Sequence, residues 1–116
     1  MQIYGYCRIS TPQQNIERQV RNILTAYPTA HIIREVYTGT THQGRRELDK
    51  LLHTAQAGDA IVFDSVSRMS RNADEGCQLY AELYDRNINL CFLKEPHINT
   101  ETYRQAMQRQ ISTQLQ

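Results

Sequence analysis

Four short stretches in which apolar residues run together or alternate punctuate the chain: QIYGYCRI (2–9), HIIREVYT (31–38), AIVFDS (60–65) and INLCFLKE (88–95). Runs of this length, rich in Ile, Val, Tyr and Phe, predict strands. Between them the apolar positions open out to a helical period. Ile16, Val20, Ile23 and Leu24 predict a first helix from Pro12 to Ala26, stopped by Pro28. Leu48, Leu51, Leu52 and Ala55 predict a second over 45–56, with Gly58 as its stop. Cys77, Leu79, Tyr80 and Leu83 predict a third over 72–85. Thr11-Pro12-Gln13-Gln14 reads as N-cap, N1 proline and capping box, which would bring the first helix's positive dipole end to the loop before it.

Strands alternating with helices of this length build βαβ units, because consecutive parallel strands need a crossover long enough to return the chain. The pattern therefore predicts an α/β fold, an open, mostly parallel sheet of four to five strands with helices on both faces. In such sheets the loops leaving the carboxyl ends of the strands gather along one edge, and ligands bind there. One segment stands outside the repeat. TETYRQAMQRQISTQLQ (100–116) sets Tyr103, Met107, Ile111 and Leu115 in a thin apolar stripe among glutamines. It reads as the start, near Thr102, of a longer helix, dividing the chain into a domain over 1–100 and a helical piece over 101–116.

At 116 residues the chain has room for one core. A composition of 40% hydrophobic and 22% charged residues fits a folded domain and argues against a disordered one. Thirteen basic against twelve acidic residues leave a net charge of +1, so a polyanion has to be met locally and not by bulk charge. Cys7, Cys77 and Cys91 are odd in number and lack C-x-x-C spacing. That argues against a disulfide framework or a zinc site and predicts buried thiols in a reducing, cytoplasmic setting. With neither a leader-like segment nor a membrane-length apolar run, a soluble protein away from the membrane is expected.

The three loops at the presumed binding edge carry one kind of chemistry. Arg8, Ser10, Thr11 and Gln14 follow the first strand, Thr38 to Thr41 with Arg45 and Arg46 the second, and Arg68 and Arg71 of SVSRMSR the third. Arginine's planar fork pairs bidentately with phosphate oxygens, so arginines from separate loops beside hydroxyls point to a phosphate-like ligand. Taken singly, each residue has an ordinary explanation. Ser10 can be a loop serine, Arg68 and Arg71 a solvated helix face, Arg45 a surface partner of Glu47 or Asp49, Tyr6 a core aromatic and Asp59 a turn residue. Other phosphate chemistries lack their signatures. G-x-x-x-x-G-K-[ST] and G-x-G-x-x-G are absent, and Cys7-Arg8 lacks the further arginine of a phosphatase loop. No carboxylates cluster for two metal ions, and no histidine stands where a serine triad requires one. A serine among arginines is what survives.

GYCRIS with Gln14 and Gln19, YTGT followed by GRRELDKLL, Gly58-Asp59 and SRMSRN together closely resemble the catalytic domain of the serine recombinases, the resolvase and DNA invertase family. The match covers residues 2 to about 99, and FLKEPHINT is especially similar to recombinases of mobile elements. The resemblance implies a resolvase-like fold and a site-specific DNA recombinase whose Ser10 attacks a DNA phosphodiester, leaving a 5′-phosphoserine link and a free 3′-hydroxyl. It implies that Arg8, Arg68 and Arg71 stabilise the phosphoryl transition state with Arg45 in support, and that Tyr6, Gln14, Gln19, Thr38 and Asp59 support the site or bind DNA phosphate. One phosphodiester is exchanged for another, so the resemblance implies neither a nucleotide cofactor nor a metal. The partners it implies are DNA, a second copy in a homodimer and a tetramer in the synaptic complex. Family members also carry a long dimerising helix and a separate DNA-binding domain, so the fragment alone is expected to recombine DNA weakly. Three positions depart from the pattern: Thr38 replaces a common serine, Ser67 an aspartate before the third-loop arginine, and Thr54 a frequent lysine. The last two motivate an alternative, a catalytically impaired DNA-binding or assembly module of the same fold.

Overall fold

The structure, a computed structural model, describes residues 1–11, 14–36, 46–70 and 72–115. Thr38, Arg45 and Arg71 lie outside the described residues. Strand β1 (Ile3–Ile9) runs inside the sheet between β2 (His31–Val36) and β3 (Ala60–Phe63), and β4 (Asn89–Phe92) completes the order β2-β1-β3-β4. Every pairing is parallel, with Tyr6 in register with Ile33 on one side and Phe63 on the other. The chain passes from β1 to β2 on one side and returns to the opposite side at β3, so the strand order reverses between β1 and β3. Their outgoing loops diverge there, which opens a crevice at the carboxyl ends of these two strands. The α/β expectation is met by an open sheet that, among the described residues, has four strands, all parallel.

Among the described residues four helices flank it: α1 (Glu17–Ala26), α2 (Arg46–Thr54), α3 (Ala73–Asp85) and α4 (Thr100–Leu115). On one face Val20 and Ile23 of α1 meet Cys7 and Val62. On the other, Leu48 and Leu51 of α2 and Leu83 of α3 close over Tyr6, Ile61, Phe63 and Phe92. Phe63 stacks on Phe92 with centroids 5.4 Å apart, and Tyr6 meets Phe63 edge-on at 5.8 Å. Each buried phenylalanine contributes about 1.5–3 kcal/mol through removal from water. Strand β3 is buried at all four positions, which accounts for its unbroken AIVF run: a parallel strand covered on both faces needs no polar alternation. Gly5 lets α1 approach β1 closely, since a Cβ there would lie 2.8 Å from Ile23 Cγ2 and 2.9 Å from Ile32 Cδ1. Gly58 turns the chain into β3 with φ of +93°, a conformation that side chains resist.

Two expectations need correction. Helix α1 begins at Glu17 and not at Pro12. Gln14 does reach back as a capping-box glutamine would, but its Oε1 accepts the N–H groups of Ser10 and Thr11 while its own N–H closes a turn onto Thr11 O. With those groups satisfied in a turn, helix entry passes to Asn15, whose Oδ1 accepts Glu17 N–H at 3.0 Å. The helix dipole therefore starts further from Ser10 than the sequence suggests. The second correction concerns Cys77, which is exposed while Cys7 is buried. Helix α3 turns Gly76, Tyr80 and Leu83 inward, and Cys77 sits about 100° round from Gly76.

The entry to α4 seals the edge of β4. Asn99 Oδ1 accepts Phe92 N–H at 2.7 Å and Thr100 Oγ1 accepts Leu90 N–H at 2.9 Å, so two side chains replace a missing neighbour strand. Beyond that first turn Tyr103, Met107 and Ile111 are exposed. Among the described residues no helix is long and apolar enough to cross a membrane.

Candidate active site

At the crevice between the ends of β1 and β3 stand Arg8, Ser10, Gln14, Gln19 and the short turn that carries Arg68. Arg8, near the end of β1, is fixed by its own backbone: buried Gln19 of α1 accepts Arg8 N–H through Oε1 at 3.0 Å and donates Nε2 to Arg8 O at 2.8 Å. One glutamine thus locks strand and helix in register at the arginine, one residue before the end of β1. The Arg8 guanidinium donates through Nη2 to the backbone carbonyl of Ser67. Ser67 lies in a 3-10 turn, Val66–Arg68, at the end of β3, so Arg8 is bonded to the residue next to Arg68. Glu95 holds that turn from below by accepting Val66 N–H at 2.9 Å.

Arg68 is half-buried, and among the described residues its buried Nε has no hydrogen-bond partner. A buried donor without an acceptor is costly, and an arriving phosphate oxygen would relieve it. Ser10 is exposed in the loop that follows β1, with its N–H held 2.6 Å from Gln14 Oε1. Gln14 thereby shapes the Ser10 loop, and the Ser10 side chain is exposed. Cys7, three residues before Ser10, is poorly suited to act as a nucleophile. It is fully buried, and burial pushes its thiol up to about 12, so no thiolate forms near neutral pH.

A carboxyl group absent from the sequence-derived set joins these elements. Glu35, buried on β2, accepts the Tyr6 hydroxyl and Leu48 N–H through Oε1 and Glu47 N–H through Oε2. It serves as the side-chain cap of α2 from a neighbouring strand, and it fixes the helix that follows Arg45. The sequence carries a faint signal for it, a lone glutamate among the apolar residues of a predicted strand.

The region of the chain covered by a model for the resolvase N-terminal domain is residues 3–116. The chain belongs to the resolvase family. It is 33% identical over 91 residues to the transposon Tn501 resolvase of Pseudomonas aeruginosa, covering 78% of this chain and 46% of that protein. It is 34% identical over 91 residues to the transposon Tn552 resolvase of Staphylococcus aureus, covering 78% and 45%. This resolvase domain therefore spans about half the length of the curated relatives it matches. Its fold is shared with a resolvase family site-specific recombinase from Streptococcus pneumoniae, solved by crystallography, at a TM-score of 0.63 and 18% identity over 99% of this chain and 93% of that one.

Of the residues expected in the site, Arg8, Gln14, Gln19 and Arg68 gather with Ser10 at one edge of the resolvase fold, and Tyr6 lies one layer beneath. Thr38, Arg45 and Arg71 fall outside the described residues. Ser67 contributes its carbonyl to Arg8, and its hydroxyl pairs with Ser65 Oγ at 2.7 Å. Thr54 turns its hydroxyl onto its own helix at Lys50 O.

Asp59 is placed elsewhere, at the amino ends of the strands. It is buried, and its carboxylate accepts Gln2 N–H at 3.0 Å and Gln56 N–H at 2.9 Å, clamping the start of β1 to the turn before β3. These two backbone bonds hold the carboxyl below its usual pKa. Its folded pKa lies under the unfolded value of about 3.9, so the stabilisation is complete above that pH and disappears as pH falls through the folded value. Asp59→Asn keeps one acceptor and turns an amide against the second N–H, at a cost of about 1 kcal/mol. Urea unfolding should give that difference at pH 6 and a smaller one at pH 3; an equal difference at both would place the effect outside the carboxylate.

Proposed function

We propose that this chain is the catalytic domain of a site-specific DNA recombinase in which Ser10 is the nucleophile. Ser10 Oγ forms a bond to the phosphorus of a DNA phosphodiester as the bond from phosphorus to the 3′-oxygen breaks. The hydroxyl proton leaves Ser10, the departing 3′-oxygen gains one, and the 5′ side stays esterified to the protein. Attack by a 3′-hydroxyl of another strand reverses the step, so bond energy is conserved without an external donor. Arg8 and Arg68, joined by Arg71 and supported by Arg45, bind the charge that grows on the equatorial oxygens, the largest electrostatic gain available in phosphoryl transfer. Thr38 adds a hydroxyl from the second loop.

The observation that carries this reading is the meeting of Arg8 with the Ser67-Arg68 turn at the point of strand-order reversal, beside an exposed serine. Helix α4 is the beginning of a dimerising helix in this proposal, and its exposed Tyr103, Met107 and Ile111 face a second copy in a homodimer, two of which assemble into a tetramer on DNA. The chain, alone and fused to a site-specific DNA-binding module, is incubated with gapped recombination-site DNA, quenched in detergent and digested for mass spectrometry. A nucleotide ester on the Ser10 peptide is expected. An ester on another residue, or no adduct in either form, would defeat the enzyme reading and favour the assembly module.

A further inference from the structure

A cavity of about 390 Å³ opens beside the Ser10 loop and extends from Gln14, Gln19 and Arg68 to Arg18, Asp64 and Lys94, which the chemistry above leaves without a role. Its charged lining consists of Arg18, Arg68, Lys94 and Asp64. Gln14, Asn15 and Gln19 supply amides. Asp64 is buried, and both of its oxygens are engaged: Oδ1 accepts Asn22 Nδ2 at 3.0 Å and Oδ2 pairs with Lys94 Nζ at 3.2 Å. Among the described residues, Lys94 and Asp64 offset one another and Arg18 and Arg68 leave the cavity with an excess of positive charge. Arg68 stands in the wall with an Nε that has no hydrogen-bond partner among the described residues, and Arg18 and Lys94 are exposed side chains on the lining, Lys94 bound at one end to Asp64.

We propose that this cavity seats a second DNA phosphodiester, the one next to the bond that is cut, with Arg18 and Lys94 as its ligands and Arg68 shared between the two phosphates. The inference rests on the Ser10 reading, because Gln14, which holds the Ser10 N–H, and Ile9, at the end of β1, both belong to the cavity wall. The cavity is too large for one phosphate group and takes a phosphate with its sugar. A seat of this kind fixes the backbone on one side of the scissile bond and sets its direction across Ser10. Phosphate contacts position a nucleic acid without reading its sequence, which suits a domain of net charge +1.

The test compares d(TpT), with one phosphodiester, and d(TpTpT), with two, titrated into the ¹⁵N-labelled chain at low salt. The trinucleotide should bind about tenfold more tightly and move the amide resonances of Asn15, Arg18 and Lys94 together with those of Arg8 and Ser10. In the double variant Arg18→Ala, Lys94→Gln the ratio should fall to about twofold; glutamine keeps a donor for Asp64, so the buried carboxylate stays bonded. An unchanged ratio, or shifts confined to Arg8 and Ser10, overturns the second seat and leaves the Ser10 site standing. Shifts confined to Asn15, Arg18 and Lys94 overturn the Ser10 reading and, with it, the adjacency proposed here. No response to either ligand overturns both.

Discussion

Ser10→Ala should lower DNA cleavage and covalent capture by about 10⁴-fold or more, to the detection limit of a gel assay, with the melting temperature and DNA affinity held. The size follows from the chemistry. In the proposed reaction that hydroxyl is the atom that accepts the phosphoryl group, and the arginines alone only bind the charge. The selectivity follows from the position. Ser10 is exposed, and the N–H that Gln14 accepts survives in alanine. Gel analysis on gapped DNA and a thermal melt check both halves. Residual cleavage within tenfold of the parent would require a different nucleophile, and buried Cys7, with its raised pKa, is not available.

The largest effect on stability is expected at Glu35. Removing its carboxyl in Glu35→Ala takes away the acceptor of the Glu47 and Leu48 N–H groups and breaks the bond from the Tyr6 hydroxyl. Together these losses should cost about 3 kcal/mol, a large share of the margin by which a domain of this size is folded. Glu35→Gln should be nearly as damaging, because an amide offers one acceptor oxygen and sets its NH₂ against a backbone donor. Denaturant unfolding measures the loss, and cleavage assayed below the new melting temperature separates stability from function. If Glu35 only stabilises, activity there returns to the parent level. If it also positions the start of α2, and Arg45 before it, activity stays reduced by about tenfold. A loss under 0.5 kcal/mol would show that water replaces the carboxyl.

The strands, the parallel sheet and the second and third helices were legible because hydrophobic spacing and burial coincide there: AIVF is buried at every position, and Leu48, Leu51 and Leu83 all face inward. The start of α1 was not legible. Thr11-Pro12-Gln13-Gln14 carries a helix-start signature, but Gln14 spends its oxygen on Ser10 and Thr11. A local motif states which groups can bond and not which will. Cys77 went wrong for a related reason, since Gly76, without a side chain to mark the stripe, hides the true inward face of α3. In the candidate site Arg8, Ser10 and Arg68 could be read from strand ends alone. Glu35 could not, because its partners come from β1 and α2 and meet only in three dimensions. Asp59 illustrates the converse, a motif residue whose carboxylate works at the far side of the sheet.

The absent side chain at Gly5 reaches further than its own strand. Ile23 and Ile32 occupy the space a methyl would take, so the spacing between helix and sheet is set by a missing atom. Only at that spacing can Gln19, four residues before Ile23 on the same helix, grip both the N–H and the carbonyl of Arg8. The aim of the arginine is thus calibrated from the interior, and a swelling of the apolar layer by one carbon would be read out as a misdirected charge at the surface.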